Sequence, residues 1–174
     1  VDMVLRRAMK GELDLMGPAM KVAGDLMSIP DIIEPSDTPL GNEEHMVDGF
    51  KKAILMVAGS AVQKLMQSLA KEQEVLMNIA DMAIWTYLAE SVYLRVQKKI
   101  DSQGEAACEH DIAIAKTYFY DVADKIAKSA KDAINSYAEG DEARMMLMGL
   151  KRFTKTQPFN PKAARQTIAQ KLIE

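Results

Sequence analysis

The side chains of this chain that are best suited to chemistry are His45, His110 and Cys108. A carboxylate-bridged two-metal site in a helical bundle needs two Glu-x-x-His units on facing helices. Position 42 is Asn and position 107 is Ala, so neither histidine has a glutamate three residues before it. The sequence therefore predicts no metal site of this kind.

Cys108, Glu109, His110 and Asp111 form a polar cluster in the sequence. Successive positions of a helix point about 100° apart, so these four side chains do not converge on one ligand. The helix dipole already explains acidic residues at a helix start. Cys108 has no histidine one turn away, which predicts a small buried apolar residue rather than a nucleophile. We predict no catalytic, cofactor-binding or metal-binding residue in this chain.

Charge and cysteine content narrow the class of protein. The 174 residues carry a formal net charge of −3, which argues against a general nucleic-acid binder. A single cysteine excludes an internal disulfide and suits a reducing compartment. We expect the cytoplasm of a bacterium, with the mitochondrial matrix as the alternative.

Three long amphipathic segments must position these residues, roughly 43–70, 73–101 and 105–137. Their apolar residues recur in alternating steps of three and four, which is typical of packed helices. We predict an all-α fold, an antiparallel up-and-down bundle of three long helices with shorter N- and C-terminal helices. Asn42 is the predicted N-cap of the first long helix, with Glu43 in its first turn. Asn160-Pro161 predicts the start of the last helix.

The chain divides into three predicted parts. Residues 1–28 form an N-terminal helical segment that follows another domain, interrupted by Gly11 and by Gly17-Pro18. Residues 29–41 form an acidic, proline-rich connector. Residues 42–174 form the bundle domain.

Two sets of side chains are candidates for contact with partners. Methionine lines adaptable surfaces as well as cores, and the predicted packing or interface residues are Met16, Met20, Met27, Met145, Met146 and Met148. Residues 151–174 are basic, with Glu174 as their single acid. The set that could meet an anionic partner is Lys151, Arg152, Lys155, Lys162, Arg165 and Lys171. A solvated basic face is the alternative.

Two stretches resemble a known family. RRAMKGEL at 6–13 resembles the segment after the last flavin-domain helix of long-chain acyl-CoA dehydrogenases, and EQEVLMNIADMAI at 72–84 resembles a helix in the C-terminal extension of the very-long-chain enzymes. The resemblance implies a parent enzyme that uses FAD to introduce an α,β double bond into fatty acyl-CoA. It also implies an electron-transfer flavoprotein as electron acceptor. The catalytic residues and the main FAD contacts of that family lie in the preceding dehydrogenase core.

The resemblance implies a non-catalytic accessory domain whose partners are its own dehydrogenase core and a homodimer partner. Two alternatives stay open, a free-standing helical adaptor for an amphipathic helix and a peripheral membrane module that uses the basic tail. Residues 13–40 carry five acids against Lys21 alone. Anionic lipid would repel this segment, which disfavours membrane association through it.

Overall fold

The computed structural model describes residues 2–27, 36 and 38–173. Within this part of the chain every regular element is helical, which confirms the predicted all-α bundle. The helices are α1 (Asp2–Met9), α2 (Met16–Met27), α3 (Gly41–Leu65), α4 (Gln73–Gln103), α5 (Glu109–Tyr137), α6 (Gly140–Phe153) and α7 (Pro161–Ile173). Short 3-10 segments, Met66–Lys71 and Ala106–Cys108, precede α4 and α5.

The three long helices α3, α4 and α5 pack on one another and form the core. Short connections join them, so neighbours run antiparallel and bury facing apolar stripes. Phe50 of α3 stacks on Phe119 of α5 with ring centroids 6.3 Å apart. Met82 of α4 shares this core, and all three side chains are inaccessible to solvent.

A buried tyrosine links the end of α5 to the middle of α3. The Tyr137 hydroxyl donates a hydrogen bond to the Val57 carbonyl oxygen at 3.0 Å. Burial raises the pKa of Tyr137 from its ordinary value of 10.0 to about 12, so the hydroxyl remains a hydrogen-bond donor further into the alkaline range. This bond fixes the position of α5 along α3.

The end of α3 differs from the prediction. The helix stops at Leu65, because Met66 adopts a φ of +46° that an α-helix does not contain. Its apolar pattern continues to Leu69, which is buried, but residues 66–71 form a 3-10 segment. The sequence has neither Gly nor Pro at this break, and so it gives no signal of it.

Asn42 is not the N-cap of α3, contrary to the prediction. The helix begins at Gly41 with Leu40 as its N-cap, and the Asn42 side-chain oxygen instead accepts a hydrogen bond from the Ser36 N–H at 3.4 Å. The prediction for Asn160 is confirmed, because its side-chain oxygen accepts from the Ala163 N–H at 3.1 Å.

The predicted interruption at Gly17-Pro18 is wrong, whereas the one at Gly11 is confirmed by its φ of +74°. Gly17 and Pro18 lie in the first turn of α2, where a proline has no helical hydrogen bond to lose. The helix packs closely on α3, and a Cβ at Gly59 would lie 2.4 Å from the Cβ of Ala19. Most of the predicted connector, 29–35 and 37, lies outside the described residues, so the domain boundaries stay predictions.

By length and composition alone, the segment Gly41–Lys71 could cross a membrane, with a mean hydropathy of 1.2 over its best window. In the structure Phe50, Val57 and Ala61 of this segment are fully buried against neighbouring helices. Its apolar character is therefore typical of the core helix of a bundle.

Candidate functional site

The outward side of α4 carries an apolar surface. Met77, Ile84 and Leu88 are seven and four residues apart, so they form one row along the helix. Tyr87 and Leu94 form a second row beside it. Their exposed fractions range from 40% for Leu88 to 70% for Tyr87. We call these five residues the α4 outer face.

The opposite side of α4 belongs to the core. Its residues recur at helical spacing about half a turn away from the α4 outer face, so the two sides cannot share one neighbour. They are 7% exposed or less: Val75, Ile79, Met82, Thr86, Ala89 and Val96. Among the described residues α3 and α5 cover this side, so within that part of the chain α4 is apolar on two sides and covered on one.

The predicted methionine surface on α2 and α6 is partly used within the domain. Met146 is 5% exposed, and the Ser60 hydroxyl lies 3.5 Å from its sulfur. Met16 is half-buried, whereas Met20, Met145 and Met148 are exposed. The side chain of Met27 lies outside the described residues. Only part of the predicted set is thus available to a partner, and its interface role stays a prediction.

The six basic residues lie at the end of α6, in the following segment and on α7, and two of them are engaged inside the domain. Arg152 donates to the Asp25 carbonyl oxygen at 3.2 Å, and Arg165 pairs with Asp121 of α5 at 2.8 Å. The remaining four are exposed: Lys151, Lys155, Lys162 and Lys171. A role for this basic set in binding an anion stays a prediction.

A polar cleft of about 80 Å³ opens between the start of α3, the middle of α5 and the segment 156–159. Glu43 lines this cleft and is only 7% exposed, and its Oε2 has no hydrogen-bond partner among the described residues. Burial raises the pKa of this carboxyl above its ordinary value of 4.5, opposed in part by its own backbone N–H and by Lys116. The residues around it are Asn42, Met46, Lys116, Phe119, Tyr120, Thr156, Gln157, Pro158 and Phe159.

A flavin nucleotide does not fit this cleft. Pockets for cofactors of that size measure roughly 300–1,000 Å³, several times the volume between α3 and α5. The buried Glu43 carboxylate would also repel the phosphates of such a ligand. If the parent enzyme carries FAD, other residues must hold most of it.

The residues first singled out for chemistry do not come together. Cys108 is fully buried, which confirms its prediction as a small apolar residue. Asp111 pairs with Lys99 of α4 at 2.5 Å. Within the described ranges, no three His, Cys, Asp or Glu side chains are grouped so that they could hold a metal ion.

Sequence reasoning missed both the burial of Glu43 and the exposure of the α4 outer face. Glu43 had an ordinary explanation as a first-turn acid, and only the fold brings residues 156–159 over it. The α4 outer face did leave a signal, because apolar residues at 77, 84 and 88 form a second stripe on the side of the helix opposite the core stripe.

The fold and its surfaces define a helical domain with exposed apolar side chains on α4. A family model described as the acyl-CoA dehydrogenase C-terminal domain matches residues 49–152. The chain therefore belongs to this family, which confirms the resemblance to acyl-CoA dehydrogenases, while the long-chain or very-long-chain subtype stays a prediction.

The proteins that this chain is similar to are much longer than the chain itself. The chain is 33% identical over 171 residues to a probable acyl-CoA dehydrogenase of Bacillus subtilis (strain 168), covering 98% of this chain and 28% of that protein. It is 36% identical to an acyl-CoA dehydrogenase of Bacillus anthracis solved in complex with FAD. That match has a TM-score of 0.90 and covers 99% of this chain and 29% of that structure. The chain thus spans less than a third of either relative.

Proposed function

We propose that this chain is the non-catalytic C-terminal accessory domain of a FAD-dependent acyl-CoA dehydrogenase. Its role is to pack against the catalytic portion of that enzyme or against the second subunit of a dimer. The observation that carries the proposal is the match to only 28% of a probable acyl-CoA dehydrogenase by nearly all of this chain. The parent enzyme would form an α,β double bond in an acyl-CoA and pass the electrons to an electron-transfer flavoprotein.

The arrangement of polar side chains supports a packing role rather than a catalytic one. Desaturation of an acyl-CoA needs a base beside the α-carbon and a flavin ring on the other side of the substrate. The cleft at Glu43 is too small to place both partners around a substrate. Exposed apolar side chains lie on α2, α4 and α6, and such side chains suit contact with another protein surface.

A flavin-binding and activity assay tests the proposal. We expect the purified chain, mixed with FAD and passed through a desalting column, to retain no flavin absorbance. We also expect no reduction of an electron-accepting dye when acyl-CoA is added. A polypeptide that joins this chain to its dehydrogenase portion should show both properties. A yellow and active preparation of residues 1–174 alone would contradict the proposed division of roles.

We also propose a cytoplasmic location in a bacterium, which the Bacillus origin of both relatives supports. Fractionation of cells that express the whole polypeptide tests this location. Recovery with the soluble fraction is the expected result. Recovery with the membrane fraction that is released by salt would instead favour the basic residues of α7 as a membrane contact.

A further inference from the structure

The α4 outer face is unusual for a surface because five large apolar residues are exposed on one side of one helix. They extend from Met77 to Leu94, about 25 Å along the helix at 1.5 Å per residue, with exposed Asp81 and Ser91 as polar residues within this span. Single exposed apolar residues are ordinary, but a cluster of this kind marks a contact with another surface. A helix that is apolar on two opposite sides is typical of a helix covered on both.

Charged residues border the patch instead of interrupting its centre. Exposed Glu74 and Asp81 lie toward the start of α4, and exposed Arg95 and Lys98 lie toward its end. Ile84, Tyr87 and Leu88 form the centre between them. An apolar centre with a charged rim is the usual organisation of a protein–protein interface.

The proposed function indicates which partner covers the α4 outer face. Nearly all of this chain matches a relative of which it makes up only 28%, so most of that polypeptide lies outside the matched part. A partner on the same polypeptide is present at a high effective concentration, of the order of millimolar for a short linker. A second copy would have to be recruited from dilute solution, so the linked partner occupies an apolar surface first.

We propose that the α4 outer face is the surface on which the dehydrogenase portion of the same polypeptide docks. This inference rests on the proposed function and adds the location of the contact. It assigns the contact to one side of α4. The exposed methionines of α2 and α6 are not part of that contact.

Hydroxyl-radical footprinting of the whole polypeptide tests the proposal, since Met and Tyr side chains react readily when solvent reaches them. In the described domain, Met77, Tyr87 and Met148 are 65%, 70% and 71% exposed. We expect Met77 and Tyr87 to be oxidised roughly tenfold more slowly than Met148, because a closely packed interface excludes water from the side chains that it covers. Met148 is the matched control, since it is equally exposed but lies on α6.

Equal oxidation of Met77 and Met148 in a flavin-containing, active polypeptide would overturn the inference while leaving the proposed function intact. A polypeptide without flavin or activity would instead overturn the proposed function. Protection that disappears on dilution, together with a change from dimer to monomer, would show that a second copy covers the face and would also overturn the inference.

A double variant gives a second measurement. Ile84→Lys with Leu88→Lys places two charges on exposed positions, so the fold of the domain itself should persist. We expect Met77 in this variant of the whole polypeptide to become as reactive as Met148. The control variant, Met20→Lys with Met145→Lys, changes exposed methionines of α2 and α6, keeps Met148 as the reference, and should leave Met77 protected. The opposite pattern would place the contact on α2 and α6 and would contradict the inference.

Discussion

The two sides of α4 carry similar residues but have different surroundings. On the core side Ile79 and Met82 are at most 3% exposed, whereas on the outer side Met77 and Tyr87 are 65% and 70% exposed. Both sides repeat at helical spacing, and both would gain free energy from burial. The comparison shows that periodicity identifies an apolar side, while neighbouring helices decide whether it is covered.

Small residues allow the helices around the core to pack closely. Ala115, Ala123, Ala130 and Ala133 of α5 are fully or almost fully buried, so the backbones of neighbouring helices can approach closely. Gly49 of α3 does the same beside the end of α6, where a Cβ would lie 2.3 Å from the Phe153 carbonyl oxygen. The α4 outer face has no such neighbour among the described residues.

Removal of a core ring should have the largest effect. Phe119→Ala deletes a fully buried side chain that stacks on Phe50. We expect a loss of about 3–5 kcal/mol in the free energy of unfolding, because both apolar burial and packing are lost. Urea denaturation of the purified chain measures it. The matched change on the outer side is Tyr87→Ala, which should lower the free energy of unfolding by about 0.5 kcal/mol or less. Equal losses for the two variants would contradict the difference in burial between the two sides of α4.

A single methyl group tests the close approach of α3 and α6. Gly49→Ala adds a Cβ that would lie 2.3 Å from a backbone oxygen of Phe153, so a helix must shift. We expect a destabilisation of about 1–3 kcal/mol by thermal or urea unfolding. The control is Gly24→Ala in α2, where a Cβ meets no atom within 4 Å. That change should stabilise the chain by about 0.5–1 kcal/mol, since alanine favours the helix.

Loss of one hydroxyl should have a smaller effect. Tyr137→Phe removes the bond to the Val57 carbonyl oxygen and keeps the ring in the core. We expect the free energy of unfolding to fall by about 0.5–1.5 kcal/mol, the net contribution of one such bond. The exposed Tyr87→Phe is the control and should change little. An unchanged stability for Tyr137→Phe would show that this bond does not help to hold α5 on α3.

The smallest expected effect is a pH-dependent gain at Glu43. Burial raises the pKa of this carboxyl in the folded state, so the protonated form favours folding. Its contribution is fully present below the ordinary value of 4.5 and is lost as the pH rises through the raised pKa. We therefore expect Glu43→Gln to stabilise the chain at about pH 7, and this gain should disappear at about pH 4.

Unfolding curves at both pH values measure the Glu43 effect. Glu105→Gln, a change at an exposed position, is the control and should show no comparable gain. A Glu43→Gln variant that is less stable than the wild type at neutral pH would mean that Lys116 and the backbone N–H outweigh the cost of burying the charge.

Much of the architecture could be predicted because it depends on local chemistry. The apolar stripes predicted the long helices, Asn160-Pro161 predicted the start of α7, and Gly11 predicted the interruption after α1. The Asn42 prediction failed because a contact outside the helix overrides a local preference. Asn42 is a good N-cap by type, but its side chain accepts from Ser36, and the N-cap of α3 is Leu40, two residues earlier.

The candidate surfaces were harder to predict than the helices. The sequence drew attention to the methionines of α2 and α6, yet Met146 is buried inside the domain. Methionine fits both cores and surfaces, so its residue type does not separate the two. The second stripe on α4 was readable from the spacing of Met77, Ile84 and Leu88, but its exposure was not.

By itself, the sequence determined that this chain is a set of amphipathic helices. It could do so because helix spacing and residue type act over a few neighbouring positions. The tertiary structure alone decided that residues 156–159 line the same cleft as Glu43 and that one side of α4 is exposed among the described residues. These outcomes depend on contacts between residues far apart in the chain, which no local pattern encodes.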